Sequence, residues 1–124
     1  MPMHNLSRNY NAEGAINAYS IVKYGAADFG ALQADSATAK LLGVASDIAA
    51  ASGEPVDVIH EGIASVKLGG TVTRGDWLVS DASGNAIVSA AAAGTNNESI
   101  GKAMQSGVSG DIIDVMIVMS RIQG

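Results

Sequence analysis

The chain has 124 residues, enough for one domain that buries about two-thirds of the surface of its unfolded form. Its net charge is −5 and its seven Lys and Arg residues are scattered singly, so it has no basic stripe to bind nucleic acid. It has no Cys, which excludes disulfides, thiolate zinc sites and cysteine nucleophiles, and its low aromatic content favours a β-rich domain with an aliphatic core.

Residues 1–13 are polar, rich in Asn and without helical or strand periodicity, so we expect an extended N-terminal arm ahead of a single β domain, residues 14–124. The arm has neither the apolar run nor the cleavage pattern of a signal peptide. The longest apolar stretch, residues 112–119, is interrupted by Asp114 and is too short to span a membrane. We therefore expect no membrane partner and synthesis in the cytoplasm.

Short apolar runs separated by Gly, Asp, Ser and Asn follow the arm and predict strands in a small barrel or sandwich. Residues 34–51 are rich in Ala, Leu and Lys, so helix propensity competes there, but we predict a strand at 41–47 because its repeat counterpart is too short and Gly-flanked for a helix. The predicted strands are Ala15–Tyr24, Leu41–Ser46, Val56–His60, Ala64–Leu68, Trp77–Ser80, Ala86–Ser89 and Asp111–Ile122.

An internal repeat relates the two halves of the chain. Ser52–Ile59 recurs as Ser109–Met116 at an offset of 57, and Leu42–Ala45 recurs as Ile100–Ala103 at an offset of 58. A looser match at an offset of 56 relates residues 14–22 to residues 70–78. We expect two units, about 14–69 and 70–124, to pack into a compact β-clip or barrel, with Gly53 and Gly110 at positive φ in equivalent turns.

The sequence offers little that is typical of catalysis. His60 beside Glu61 is the usual pairing for a general base or a metal, but no second His stands at ligand spacing. Ser80 and Asp81 fit turn chemistry, and no nucleophile elbow is present. The acids of the repeated turns, with Asp57 and Asp114, lack the ladder of a calcium loop. We predict no catalytic residue, metal site, cofactor or small-molecule substrate.

Trp77 is the one Trp of the chain and opens a predicted strand after a Gly-Asp turn. A core position and an interface position are both compatible with this pattern, because an indole has one polar edge that suits a partly wet contact. We take Trp77 as the candidate subunit-interface residue.

The order and spacing of several short motifs resemble those of the capsid cement, or head decoration, family of tailed phages. More distantly they are similar to the lambda-type head decoration protein with its β-clip fold. The motifs are Ile16–Val22, Leu42–Ala45, Ala50–Val56, Glu61–Gly62, Val72–Val79 and Ile100–Ala103.

This resemblance implies a structural protein of the virion, bound to the outer surface of the head. It implies a homotrimer that bridges subunits of the major capsid protein and has no enzymatic activity. We expect the arm to contact the capsid through Asn5, Leu6, Arg8 and Tyr10. An arm that orders on binding loses backbone entropy worth about 1–2 kcal/mol per residue, and its contact must offset this cost, for instance by adding a strand to a sheet edge.

Two alternatives stay open. The chain fits another phage structural or secreted β module, which would never bind capsids. It also fits a β-clip enzyme or ligand-binding domain, in which His60 or Asp57 would be indispensable.

Overall fold

The computed structural model describes residues 6–91 and 93–123, and within these ranges the chain forms ten β-strands and no helix. No helix of this part is therefore long and apolar enough to cross a membrane. The strands are β1 (Leu6–Ala12), β2 (Ile21–Tyr24), β3 (Gly30–Gln33), β4 (Leu41–Ala45), β5 (Pro55–Glu61), β6 (Ile63–Lys67), β7 (Trp77–Ser80), β8 (Ala86–Val88), β9 (Asn96–Ala103) and β10 (Ile112–Gln123).

The strands form two units of five with the same topology. The first unit is a closed barrel with strand order β1-β3-β2-β4-β5, and the second is a sheet with order β6-β10-β9-β7-β8. Strands β1 and β3 pair in parallel, and a single parallel bridge between Leu68 and Ala86 joins the corresponding ends of the second sheet. The predicted mainly β fold of two repeated units is confirmed.

The register of the ladders reproduces the sequence repeat residue by residue. The matched positions lie at the offsets of 56, 57 and 58 that the sequence indicates. In the first unit the cross-strand row is Ile21, Val44 and Ile59, and in the second it is Trp77, Lys102 and Met116.

Strand β1 changes the expected unit boundaries. It pairs with β5 from Leu6 to Asn11, just as β6 pairs with β10, so the units run from β1 to β5 and from β6 to β10 rather than over 14–69 and 70–124. From Leu6 onwards the expected arm is thus a barrel strand. The sequence carried no sign of this strand, because its ladder hydrogen bonds come from the backbone and only Ala12 of β1 is fully buried. Deleting residues 1–10 would therefore open the barrel.

The other differences from the predicted strands have local causes. The strand expected from Ala15 begins at Ile21, because Tyr19 has a φ of 61° in a turn. Strand β3 is short, and β9 begins with polar residues, so neither has the apolar run that signals a strand. The strand over Leu41–Ala45 is confirmed against the helical alternative.

The two units share part of their core. One cluster fills the first barrel around Ile16, Val22 and Leu42. The other cluster combines the interior of the second unit with side chains from the outer face of the first, among them Ile21 and Val44. The first unit is therefore packed against the second through the outer face of β2 and β4.

Equivalent turns close both units. Gly53 and Gly110 have φ values of 88° and 94°, as predicted. In each turn the following acid accepts a hydrogen bond from the first residue's N–H: Ala51 donates to Glu54 at 2.7 Å and Val108 to Asp111 at 3.0 Å. These acids therefore cap turns.

Candidate functional site

Three of the five aromatic residues of the chain lie at one end of the first barrel. Phe29 and Tyr24 are about 60% exposed, at 59% and 60%. The Arg8 guanidinium stacks 4.6 Å from the centre of the Phe29 ring and 5.8 Å from that of Tyr10. Exposed aromatic rings beside an Arg are the composition typical of protein-binding surfaces.

Tyr10 and His60 belong to the barrel wall beneath this surface. The His60 Nδ1 lies 2.9 Å from the Leu42 carbonyl, which can only accept, so Nδ1 carries a proton. In the neutral ring Nε2 then accepts from the Tyr10 hydroxyl at 2.8 Å. Asp57 in turn accepts a hydrogen bond from the Asn9 side chain at 3.0 Å. His60 and Asp57 thus link β5 to β1, and His60 also links it to β4.

The loop between β2 and β3, residues 25–29, carries Phe29 and is held by Glu13. The N–H groups of Ala26 and Ala27 donate to the Glu13 carboxylate at 2.7 and 3.0 Å. These hydrogen bonds lower the pKa of Glu13, and the bond from Ala27 has the larger effect. A Cβ at Gly25 would lie 2.6 Å from the carboxylate, so a side chain there would push the carboxylate away from these N–H groups. The loop is therefore preformed, with Phe29 at a φ of 61°.

Trp77 lies half-buried on the outer face of the second sheet and not in its core. The Lys102 ammonium is 5.1 Å from the centre of its ring. A groove of about 470 Å³ runs beside it, and its walls include Trp77, Val88, Ala91 and Ile122. Strand β10 also carries exposed large apolar side chains, Ile112, Met116, Val118 and Met119, and Met116 lies in the same cross-strand row as Trp77 and Lys102. We refer to the groove as the Trp77 groove.

The leading end of β1 offers a third surface. Among the described residues, β3 pairs with β1 at Asn11 and Ala12 alone, so the strand edge from Leu6 to Tyr10 that faces away from β5 has no ladder partner there. Leu6 is exposed at this edge. Asn5 lies outside the described residues.

The remaining sequence candidates do not converge. Ser80 is buried and its hydroxyl donates to the Asp81 carbonyl, while both ring nitrogens of His60 have partners elsewhere. Within residues 6–91 and 93–123 no three His, Asp or Glu side chains are grouped to hold a metal.

A family model of phage cement proteins matches residues 2–118. The chain belongs to the phage cement protein family. Its role is accordingly structural and associated with the phage head. The resemblance seen in the short motifs is thereby confirmed.

Among solved structures, the N base of the head fiber gp8.5 in bacteriophage phi29 is similar to this cement protein. The two superpose with a TM-score of 0.70 at 18% sequence identity, over 98% of this chain and 100% of that one. At this identity the likeness establishes the fold. No curated protein matches the chain.

Arg8, Tyr10 and Trp77 were candidates from the sequence and lie on these surfaces, whereas Tyr24, Phe29 and Glu13 were not among the candidates. Phe29 and Tyr24 were the detectable ones, because aromatic residues are scarce in this cement protein and two of them flank a loop rich in Gly and Ala. Glu13 gave no signal, since its partners are backbone N–H groups that any sequence supplies.

Proposed function

We propose that this cement protein binds the outer surface of the phage head as a homotrimer and stabilises the shell by bridging neighbouring subunits of the major capsid protein. The family match over residues 2–118 carries this proposal. The protein acts by binding and has no enzymatic turnover, in keeping with the engagement of His60 and Asp57 in contacts between strands.

The proposed capsid contact is the unpaired edge of β1. An extended segment of the major capsid protein can add there as a strand, so that main-chain hydrogen bonds supply affinity and the flanking side chains supply specificity. The exposed Leu6 and Arg8 stand on this strand, and Asn5 precedes it. Tyr10 contributes by keeping the strand in place through His60.

Trimerisation would multiply this contact. Once one β1 edge is bound, the others are held near further capsid subunits, and their effective concentration raises the overall affinity without any new contact. The same linkage resists separation of the shell subunits, because several contacts must break together. A bridge between subunits is therefore both the attachment and the stabilising device.

A second candidate is the base of a head fiber, which the shared fold with the phi29 head fiber base favours. Both candidates bind the head from outside. They differ in whether the shell gains stability when the protein is bound.

The test uses heads produced without this protein, to which the purified protein is added before heating. We expect bound protein to raise the temperature at which packaged DNA is released. Leu6→Asp should weaken binding in a sedimentation assay and lose this protection, whereas Ile48→Ser, which alters an exposed apolar residue of the loop between β4 and β5, should behave like the parent.

Bound protein with unchanged DNA release would favour the fiber base over the cement role. Absence of binding to the heads would contradict both candidates.

A further inference from the structure

A loop of the second unit covers part of the first unit, whereas no loop of the chain covers the equivalent part of the second unit among the described residues. Within the chain, the loop between β7 and β8, residues 81–85, sits on the outer face of the first unit. The Ile21 N–H donates to the Gly84 carbonyl at 2.8 Å, and the Gln33 side chain donates to the Ser83 carbonyl at 2.9 Å. Gln33 lies so near Gly84 that a Cβ there would be 2.6 Å from its Cγ. The second unit thus covers Ile21 with this loop.

The strand pairing identifies the residues of the second unit that are equivalent to Ile21 and Gln33. Ile21 corresponds to Trp77, since they pair with the equivalent Val44 and Lys102. Gln33 corresponds to Val88, because Gln33 pairs with Val22 and Val88 pairs with Leu78. Val22 and Leu78 are themselves equivalent. These counterparts, Trp77 and Val88, line the Trp77 groove. The place that a loop covers in the first unit is a groove in the second.

The loop that corresponds to residues 81–85 is the β2–β3 loop, residues 25–29, which connects the equivalent pair of strands. It carries Phe29, which is exposed, where the other loop carries Gly84. One chain therefore has an open groove at one end and, at the other, the loop that the repeat predicts should fill such a groove.

We propose that the β2–β3 loop of one copy docks into the Trp77 groove of a second copy, with Phe29 inserted beside Trp77 and Val88. This inference rests on the proposed homo-oligomer and names its contact. The two surfaces differ, so the association is head to tail, and such a contact closes a ring when its rotation allows. A ring of three is the proposed trimer.

The chemistry of the two surfaces favours this pairing. Insertion would remove the Phe29 ring from water and place it against the Trp77 indole, a contact typical of interface hot spots. Each surface carries charges of both signs, with Asp28 and Arg8 beside Phe29 and with Lys102 and Asp76 at the Trp77 groove, so opposite charges can pair across the contact. Because Glu13 already holds the loop in shape, little conformational freedom is lost on docking.

The first experiment measures oligomeric state in solution, without heads, by analytical ultracentrifugation. Phe29→Ser removes the inserted side chain and Val88→Glu blocks the groove. We expect the parent and the control Ile48→Ser to be trimeric and each of the two variants to be monomeric, with association weakened about 100-fold or more. A parent that is monomeric, or variants that remain trimeric, would overturn the inference.

Mixing the two variants tests the head-to-tail geometry. The Phe29→Ser copy keeps an intact groove and the Val88→Glu copy keeps an intact loop, so an equimolar mixture should form one productive junction and sediment as a heterodimer. Only folded variants can give this result. A mixture that stays monomeric would overturn the inference.

A cross-link provides a test that does not depend on weakened binding. The chain has no Cys, so Ala27→Cys on the loop combined with Ala91→Cys in the groove introduces a single pair of thiols and keeps both Phe29 and Val88. Oxidation should give a covalent trimer from the double variant and none from either single variant, and absence of the trimer would count against the contact. Trimers of this kind that fail to bind heads would contradict the proposed function and leave the contact standing.

Discussion

Gly43 and Gly101 occupy equivalent positions in the two units and are needed for the same reason. A Cβ on either would overlap the backbone of the next strand, at the Ile59 carbonyl in the first unit and the Met116 carbonyl in the second. The repeated apolar-Gly-x-Ala motif is therefore a site of close backbone approach. Gly53 and Gly110 differ, since a Cβ there would meet nothing within 4 Å and their requirement is the positive φ alone.

Replacing Gly101 by Ala should consequently destabilise the protein more than replacing Gly53 by Ala. We expect Gly53→Ala to cost about 1 kcal/mol of unfolding free energy through its φ. Gly101→Ala should cost about 3 kcal/mol or more, because the ladder between β9 and β10 must shift. Denaturant unfolding of both variants measures the difference, and an equal loss would contradict the close approach.

At the scale of the element, the two hairpin loops are held by carboxylates that come from different places. In the first unit Glu13 precedes the hairpin and accepts from Ala26 and Ala27. In the second unit Asp81 begins the loop and accepts from Ser83 and Asn85 at 2.8 and 3.0 Å. Gly faces each carboxylate, Gly25 in one unit and Gly69 in the other. The carboxylate and the Gly that faces it thus occupy swapped positions in the two units, and both arrangements hold the hairpin loop.

The Glu13 contact should make the β2–β3 loop sensitive to acid. Its pKa lies below the ordinary 4.5 because the Ala27 and Ala26 N–H groups stabilise the carboxylate. The stabilisation is present above pH 4.5 and is lost as the pH falls through the lowered pKa of the folded state. Amide NMR signals of Ala26 and Ala27 should shift in that acid range and be insensitive to it in Glu13→Ala. A midpoint at or above 4.5 would contradict the contact.

The elements show what the sequence could predict. Strands with an apolar run, such as Trp77–Ser80, were predicted with their bounds, because alternation and turn residues are local signals. Strands β1 and β3 and the polar start of β9 were missed, because β1 is polar and pairs with the distant β5, β3 is short, and residues 96–99 have no apolar run. The repeat supplied the topology that local patterns lack. Applied to β6, it would also have identified β1.

At the scale of the whole molecule, the two units have the same fold but different surroundings. The row Ile21 and Val44 is buried between the units, while its counterpart Trp77 and Lys102 faces outward. A repeated sequence pattern determines the local structure of both units, but it does not indicate which unit is covered by the other. For that reason the sequence alone was compatible with both a core and an interface position for Trp77. The uncovered face of the second unit is therefore the one that we propose for association with another copy.

Attachment to the outside of the phage head is the central property proposed for this protein, and cryo-electron microscopy of heads assembled with and without the protein tests it most directly. We expect added density on the outer surface that fits copies of the two-unit fold, with a β1 edge at the shell and neighbouring copies joined from loop to groove. Identical outer surfaces in the two maps, or density found only inside the head or on the tail, would contradict it.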